Sequence, residues 1–244
     1  MILPFLAFFI PTLAGATDAP WKYDAGLGFA INTYGQDYSS DLKDGALDLR
    51  LGANYRLTPL VDFRAQSTIS NSLFGMNTNY AALRFYDFYV AANYLTAWQF
   101  GQATHQLSLG IFASTTSGNS IGYDNVMGPD FGWTAARTFE NKRSLTMTLH
   151  FAPILSKAFS FSKDRRYEIA AEYFFLENEN HSRFSIGLSY SHLDFETSDG
   201  LNSKTSRLAS ILVYHFQTAT EDSKIQESPK LQPGLTQPIP TAQE

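Results

Sequence analysis

Cysteine is absent from this 244-residue chain. Its absence excludes a disulfide framework, a zinc–thiolate site and a cysteine nucleophile. Long apolar runs are also absent after the first thirteen residues. Because a membrane-spanning helix needs about 20 consecutive apolar residues, the sequence after that point gives no indication of one.

Charge is sparse as well. Charged residues make up 17% of the chain and the formal net charge is −5, so neither indicates a nucleic-acid partner. By contrast, aromatic residues make up 15%, while the mean hydropathy is only −0.19. A chain that is this aromatic without being hydrophobic on average must interleave apolar and polar residues.

Residues 1–16 are predicted to be a signal peptide. The apolar segment MILPFLAFFIPTL is followed by Ala14-Gly15-Ala16, a small-x-small pattern typical of a signal-peptidase site. The segment departs from the usual pattern because it has no Lys or Arg before its apolar run. The alternative is a buried N-terminal strand or helix. We expect cleavage after Ala16.

Alternation of apolar and polar residues recurs along the rest of the chain. In its clearest example the odd positions are apolar and the even positions polar or small: Trp21, Tyr23, Ala25, Leu27, Phe29 and Ile31 against Lys22, Asp24, Gly26, Gly28, Ala30 and Asn32. A period of two indicates strands. Over residues 17–217 we count about ten segments, each near the length that crosses a bilayer at a tilt. The sequence therefore predicts an all-β fold, a transmembrane antiparallel up-and-down β-barrel of about ten strands; eight or twelve also fit.

The predicted connections alternate in length. Short links lie near residues 58–59, 141–142 and 178–180, and longer polar loops lie at 35–44, 71–79, 117–130, 156–165 and 196–203. Outer-membrane barrels have short periplasmic turns and longer outer loops. On the short side, the link at 97–103 is expected to be longer than the others, and it is the weakest part of the strand count.

The alternation admits two arrangements. A soluble periplasmic lipid-binding barrel would hold its apolar side chains inside, whereas a membrane barrel would turn them towards lipid. Two features favour the membrane. The polar face is rich in Gly, Ser, Ala and Asn, and the aromatic residues concentrate near strand ends, as in interfacial girdles. The soluble barrel remains an alternative.

The segment at residues 208–216 resembles the terminal strand by which barrel-assembly machinery recognises bacterial outer-membrane β-barrel proteins. The resemblance rests on Leu212, Tyr214 and Phe216, which alternate and end in an aromatic residue. It is a likeness to a class and not to one family, and Phe216 departs from the pattern because it is not the last residue. It implies a Gram-negative outer membrane, with lipid, lipopolysaccharide and the assembly machinery as partners.

Residues 218–244 contain four prolines and many polar residues, which is typical of a segment without packed structure. We expect a disordered periplasmic tail. Its partner stays open: peptidoglycan and a periplasmic protein are candidates, and a plain solvated tail is the alternative.

Charged residues fall on the predicted polar, lumen-facing positions. They are Asp24, Asp48, Arg50, Arg56, Asp62, Arg64, Asp87, Arg166, Glu168 and Glu172. Because a buried charge is costly unless it is paired, Asp48 and Arg50 beside Asp62 and Arg64 suggest a ladder of ion pairs. The ladder would line either a selective pore or a lumen plugged by its own side chains. About ten strands leave little room, so a general porin is not expected.

Catalytic residues are harder to find. The best candidate is His192, which shares a strand face with Asp194 near a predicted outer loop, so that the carboxylate could orient the imidazole. The other histidines are scattered, and no metal site or cofactor is predicted. Arg84 lies on the aromatic face, where it could meet a lipopolysaccharide phosphate or indicate a wrong face assignment.

The leading hypothesis is a monomeric, non-catalytic outer-membrane barrel with a structural or narrow-channel role. A lipid-modifying or proteolytic barrel enzyme that uses His192 is the alternative.

Overall fold

The computed structural model describes residues 21–36, 42–75, 84–117, 125–139, 141–155, 164–177, 182–196 and 200–217. These residues form ten strands: β1 Trp21–Gln36, β2 Leu42–Arg56, β3 Val61–Gly75, β4 Arg84–Phe100, β5 Ala103–Ser117, β6 Val126–Thr138, β7 Ser144–Pro153, β8 Arg165–Glu177, β9 Arg183–Glu196 and β10 Asn202–Gln217. Each strand pairs antiparallel with its neighbours in sequence, and β10 pairs with β1 to close the barrel. The predicted ten-strand antiparallel barrel is confirmed. The expected signal peptide and tail lie outside the described residues.

The described part of the chain contains no helix long and apolar enough to cross a membrane.

The register fixes which side chains face the lumen. β1 and β10 pair from Lys22–Gln217 to Gln36–Ser203, and Leu27 lies opposite both Leu212 and Leu49. Because side chains alternate along a strand, these leucines point outwards together, while their polar neighbours point into the barrel. Outward apolar side chains are exposed to an unusual degree, with Phe29 at 67% and Leu188 at 61%. The apolar set is therefore the outer wall.

The connection between β4 and β5 corrects the sequence prediction. Residues 97–103 were expected to form a long link, but β4 continues to Phe100 and β5 begins at Ala103. The two-residue turn, Gly101 and Gln102, has φ of 62° at both positions, as a type I′ hairpin turn requires. A register shift between Leu95 and Gln99 breaks the alternation just before the turn, which hides the strand from a period-two search.

The start of β6 is a second correction. The predicted loop 117–130 includes five residues that belong to the strand, because β6 begins at Val126. Pro129 lies within it, opposite Ile111 of β5. Proline is rare inside a sheet because it has no N–H to donate, so a sequence search ends the strand too early.

The seam between β6 and β7 is interrupted near its loop end. Paired residues run from Thr138–Ser144 to Phe131–Phe151. Beyond them the Leu155 amide donates to the Met127 carbonyl oxygen at 2.8 Å. Extending the register places Pro129 opposite Pro153, so the rung between these two positions has no N–H on either strand.

Candidate functional site

The loop end of the lumen is filled by apolar side chains. The buried cluster consists of Tyr34, Phe85, Phe112, Val126, Ala152, Ile154, Leu193 and Phe195. These residues come from six strands and the segment after β7, and most lie towards the end from which the longer connections leave. We call this cluster the apolar plug. It occupies the space that an open pore would need.

Below the plug, Arg207 reaches across the lumen from β10. Its guanidinium hydrogen-bonds to Asp48 on β2, and its Nη1 lies 3.3 Å from Asp87 Oδ2 on β4. Asp48 is only 1% exposed. Because β10 and β4 are on different sides of the barrel, this contact crosses the lumen, and the guanidinium charge compensates the buried carboxylate of Asp48.

Arg50 makes a second crossing. Its Nε lies 3.1 Å from Asp24 Oδ1 on the adjacent strand, and its Nη2 lies 3.7 Å from Glu172 Oε2 on β8. Glu172 Oε1 also accepts from Ser185 Oγ at 2.5 Å and contacts His215 Nε2 at 2.9 Å. One carboxylate therefore joins three strands besides its own.

A third cluster surrounds Asp130 on β6, which is 0% exposed. Its Oδ1 lies 2.6 Å from His150 Nδ1, and its Oδ2 lies 3.5 Å from Arg166 Nη1. Arg166 also pairs with Glu168 and lies over the Phe112 ring, 4.1 Å from its centroid. The charged layer is thus packed directly against the apolar plug.

A cavity of about 90 Å³ remains among these charges. Its lining includes Arg50, Arg166, Arg207, Asp48, Asp87, Glu168 and Glu172. A polar space of this size holds several water molecules, but it is bounded by the crossing side chains. Within the described residues, the side chains that cross the lumen therefore leave a small space lined by charged groups.

Near the turn end, Asp62 is held by amides. It accepts from Asn54 Nδ2 at 2.8 Å, Asn93 Nδ2 at 2.6 Å and Gln106 Nε2 at 3.0 Å. Arg64 donates to Gln66 Oε1 at 3.0 Å. A carboxylate with three amide donors is well satisfied without a cation.

The structure places all seven proposed ladder residues in the lumen, but their arrangement differs from a simple ladder between β2 and β3. The register sets Asp48 opposite Ser70 and Arg64 opposite Asn54. The ion pairs of Asp48 and Arg50 instead run to β10, β1 and β8. Only Arg166 and Glu168 pair with each other on one strand.

Sequence reasoning missed Arg207 and Asp130. Arg207 is next to the outward Leu208, so the period-two pattern assigns its side chain to the lumen. The prediction for β10 used only the apolar residues of the strand and did not include Arg207. Asp130 lies in the part of β6 that was predicted to be a loop. The contacts between side chains across the lumen depend on how the barrel closes. A local sequence pattern contains no information about this closure.

Ser185, His215 and Glu172 lie together but do not form a catalytic relay. Ser185 Oγ and Glu172 Oε1 both contact His215 Nε2, at 2.8 and 2.9 Å. A relay needs the nucleophile on one ring nitrogen and the carboxylate on the other. Ser185 is also fully buried, so this group stabilises the lumen.

The proposed catalytic pair His192 and Asp194 lies on the outer wall near the loop end of β9. His192 Nδ1 is 2.8 Å from Ser206 Oγ on β10, and its ring lies 5.1 Å from that of Tyr167. Asp194 is in register with Arg165 on one side and Lys204 on the other. Ser206 was missed because only the register brings it to His192.

The described residues contain no group of three or more His, Asp or Glu side chains that could hold a metal ion.

No protein-family model and no curated protein matches the chain. Solved structures do match. The translocator domain of the autotransporter NalP from Neisseria meningitidis is 9% identical, with 81% of this chain and 89% of that chain covered and a TM-score of 0.41. Neisserial surface protein A is 11% identical, with 78% and 95% covered and a TM-score of 0.38. The outer membrane protein OprG from Pseudomonas aeruginosa is 8% identical, with 82% and 96% covered and a TM-score of 0.37.

At identities and TM-scores this low, these matches do not extend to an activity or a ligand.

Proposed function

We propose that this protein is a non-catalytic outer-membrane β-barrel with a structural role, whose lumen is closed by its own side chains. The observation that carries the proposal is the inverted distribution of polarity. Apolar side chains form the exposed outer wall, and charged side chains are buried in the lumen. A water-soluble barrel has the opposite arrangement. The observed distribution therefore argues against the soluble lipid-binding barrel.

The turn end of the outer wall supports a membrane location. Aromatic rings cluster there on both sides of β1: Trp21 packs on Tyr55 of β2 at 4.7 Å, and Tyr23 on Phe216 of β10 at 5.4 Å. Amphipathic aromatic side chains are favoured at the boundary between lipid and water. These rings would form part of one interfacial girdle.

The alternation of connection lengths supports an orientation. Residues 57–60 and 101–102 join strands at one end, whereas residues 76–83, 118–125 and 154–164 join them at the other. Short turns face the periplasm in outer-membrane barrels. We therefore place the apolar plug on the extracellular side and β10 with its Phe216 end towards the periplasm.

The experiment is expression of the full chain in a Gram-negative host, followed by fractionation and gel electrophoresis with and without boiling. We expect the chain in the outer-membrane fraction with a mobility that changes on heating, because a closed barrel resists detergent until it unfolds. In planar bilayers the same preparation should show little conductance, since Arg207, Arg50 and Phe112 occupy the lumen. Release by osmotic shock with no heat shift would refute the membrane proposal, and large steady conductance would refute the closed lumen.

A second candidate function is lipid-ester hydrolysis at the outer wall, and the contact between His192 and Ser206 favours it. Ser206 would attack an acyl carbonyl while His192 takes the hydroxyl proton and passes it to the leaving alcohol; water then releases the fatty acid. Asp194 lies two residues along on the same face and would orient the imidazole.

The test is release of fatty acid from phospholipid and from lipid A in detergent micelles by the purified barrel. Ser206→Ala and His192→Ala should each reduce it at least about a hundredfold, whereas Ser210→Ala, outward on the same strand, should leave it unchanged. If neither variant differs from the wild type, or if the wild type is inactive on both lipids, this candidate is refuted.

A further inference from the structure

Charged side chains on the outer wall are unevenly distributed. At the loop end of the described strands, the outward charged residues are four cations, Lys43, Arg84, Arg165 and Lys204, and two anions, Asp194 and Glu196. At the turn end, the outward charged residue of these strands is Arg137. The apolar wall lies between them. A charge beside lipid is costly unless it meets a counter-charge or water. The excess of cations at the loop end therefore fits a position beside the anionic headgroups of a membrane.

Three of these residues are neighbours. Arg165, Asp194 and Lys204 lie in one register line across β8, β9 and β10. Since adjacent strands are about 4.8 Å apart, the two cations are separated by about 10 Å at the backbone, and their long side chains can converge on one group. Both are exposed, and neither forms an ion pair within 4.0 Å with another described residue.

The next two lines of the register show what lies beside this triplet. Towards the barrel centre comes a line of polar side chains, His192, Ser206, Thr33 and Lys43 with Tyr167. The following line is apolar and at least 39% exposed: Ile169, Tyr190, Leu208 and Ile31. The surface thus changes from cationic to polar to apolar over four residues, about 13 Å along each strand.

We propose that Arg165 and Lys204, with Lys43 beside them, bind the phosphate of a lipid headgroup in the outer leaflet, as a lipopolysaccharide would present it. The order of cation, hydroxyl and apolar side chain matches the order of phosphate, sugar and acyl chain in such a molecule. Arginine and lysine both bind phosphate through charge-assisted hydrogen bonds. The inference rests on the proposed membrane location and adds a ligand class to it.

Asp194 allows a test of the direction in which the affinity for phosphate changes. It lies between the two cations and would repel a phosphate held there, so its removal should strengthen binding. A site that needed Asp194 for its shape, or a surface without affinity for phosphate, would not respond in that direction.

The experiment uses the full-length barrel in a nonionic detergent and native mass spectrometry to measure binding of lipid A with two phosphates. Arg165→Gln and Lys204→Gln should each weaken binding about tenfold, since each removes a charge-assisted contact. Asp194→Asn should tighten it about threefold. Arg137→Gln, which removes an outward cation at the turn end, is the matched control and should have no effect.

Enzymatically dephosphorylated lipid A should lose the binding, and inorganic phosphate should not compete. Equal affinity for dephosphorylated lipid A, equal loss in Arg137→Gln, or competition by inorganic phosphate would each overturn the proposal. Heat-shifted mobility of every variant is checked first. Its absence in the wild type would refute the membrane proposal, whereas loss of lipid discrimination in a heat-shifting barrel would refute the phosphate site alone.

Discussion

Arg207 shows how a single residue can determine the state of the lumen. Its side chain joins β10 to β2 and β4, and the carboxylate of Asp48 that it neutralises is almost completely buried. A buried ion pair is weak evidence of net stability, but breaking one by removing a single partner is costly, since the other charge stays buried and unpaired.

We therefore expect Arg207→Met to lower the free energy of unfolding by about 3–5 kcal/mol. Reversible urea unfolding of the barrel in lipid vesicles would measure it. Arg56→Met is the matched control, because Arg56 is an exposed residue at the end of β2, and it should change stability by less than about 0.5 kcal/mol.

The double variant Arg207→Met/Asp48→Leu should regain part of the loss, since it removes the charges of Arg207 and Asp48 but leaves that of Asp87. If Arg207→Met alone is neutral, the cross-lumen pair contributes nothing and the apolar plug alone holds the barrel shut.

At the scale of the strand, the seam between β6 and β7 has the shortest ladder among the described strand pairs, with eight paired positions. Pro129 and Pro153 have no N–H to donate, so one rung of the ladder lacks both of its donors. This rung lies between the pair Phe131–Phe151 and the hydrogen bond from the Leu155 amide to the Met127 carbonyl oxygen. A backbone hydrogen bond in an apolar environment stabilises the sheet, so restoring the N–H donors at these two positions should raise the free energy of unfolding.

We expect the double variant Pro129→Val/Pro153→Val to raise the free energy of unfolding by about 1 kcal/mol, the net value of a typical hydrogen bond. Urea unfolding in vesicles measures the change. Pro59→Val, in the exposed turn after β2, is the control for removing a proline without completing a rung. A gain no larger than that of the control would mean that the two positions do not face each other across the seam.

The same elements show how far sequence reasoning extends. β1 and β2 were predictable because apolar and polar residues alternate clearly along them. The β4–β5 hairpin was not, because a register shift hides the end of β4, and the start of β6 was lost to Pro129. Pairs such as His192 with Ser206 depend on the register between strands, which no single segment encodes.

For the whole molecule, alternation predicted the closed antiparallel barrel and its approximate strand number but not the contents of the lumen. Its interior charges were assigned to the correct face by period two alone, whereas their partners lie up to 159 residues apart, as in Arg207 and Asp48. Closure brings these residues together, and closure is a property of all ten strands. The site on the outer wall depends on the same register, through Arg165, Asp194 and Lys204.

The pairing of β1 with β10 also bears on biogenesis. The partner of the first strand is the tenth strand, so Leu27 cannot pair with Leu212 until all ten strands have been synthesised. Contacts this distant in sequence give a high contact order and slow folding, and the unclosed intermediates expose strand edges and apolar faces that aggregate. The nascent protein should therefore depend on a holding chaperone in the periplasm, and chains truncated before β10 should be degraded instead of accumulating as smaller barrels.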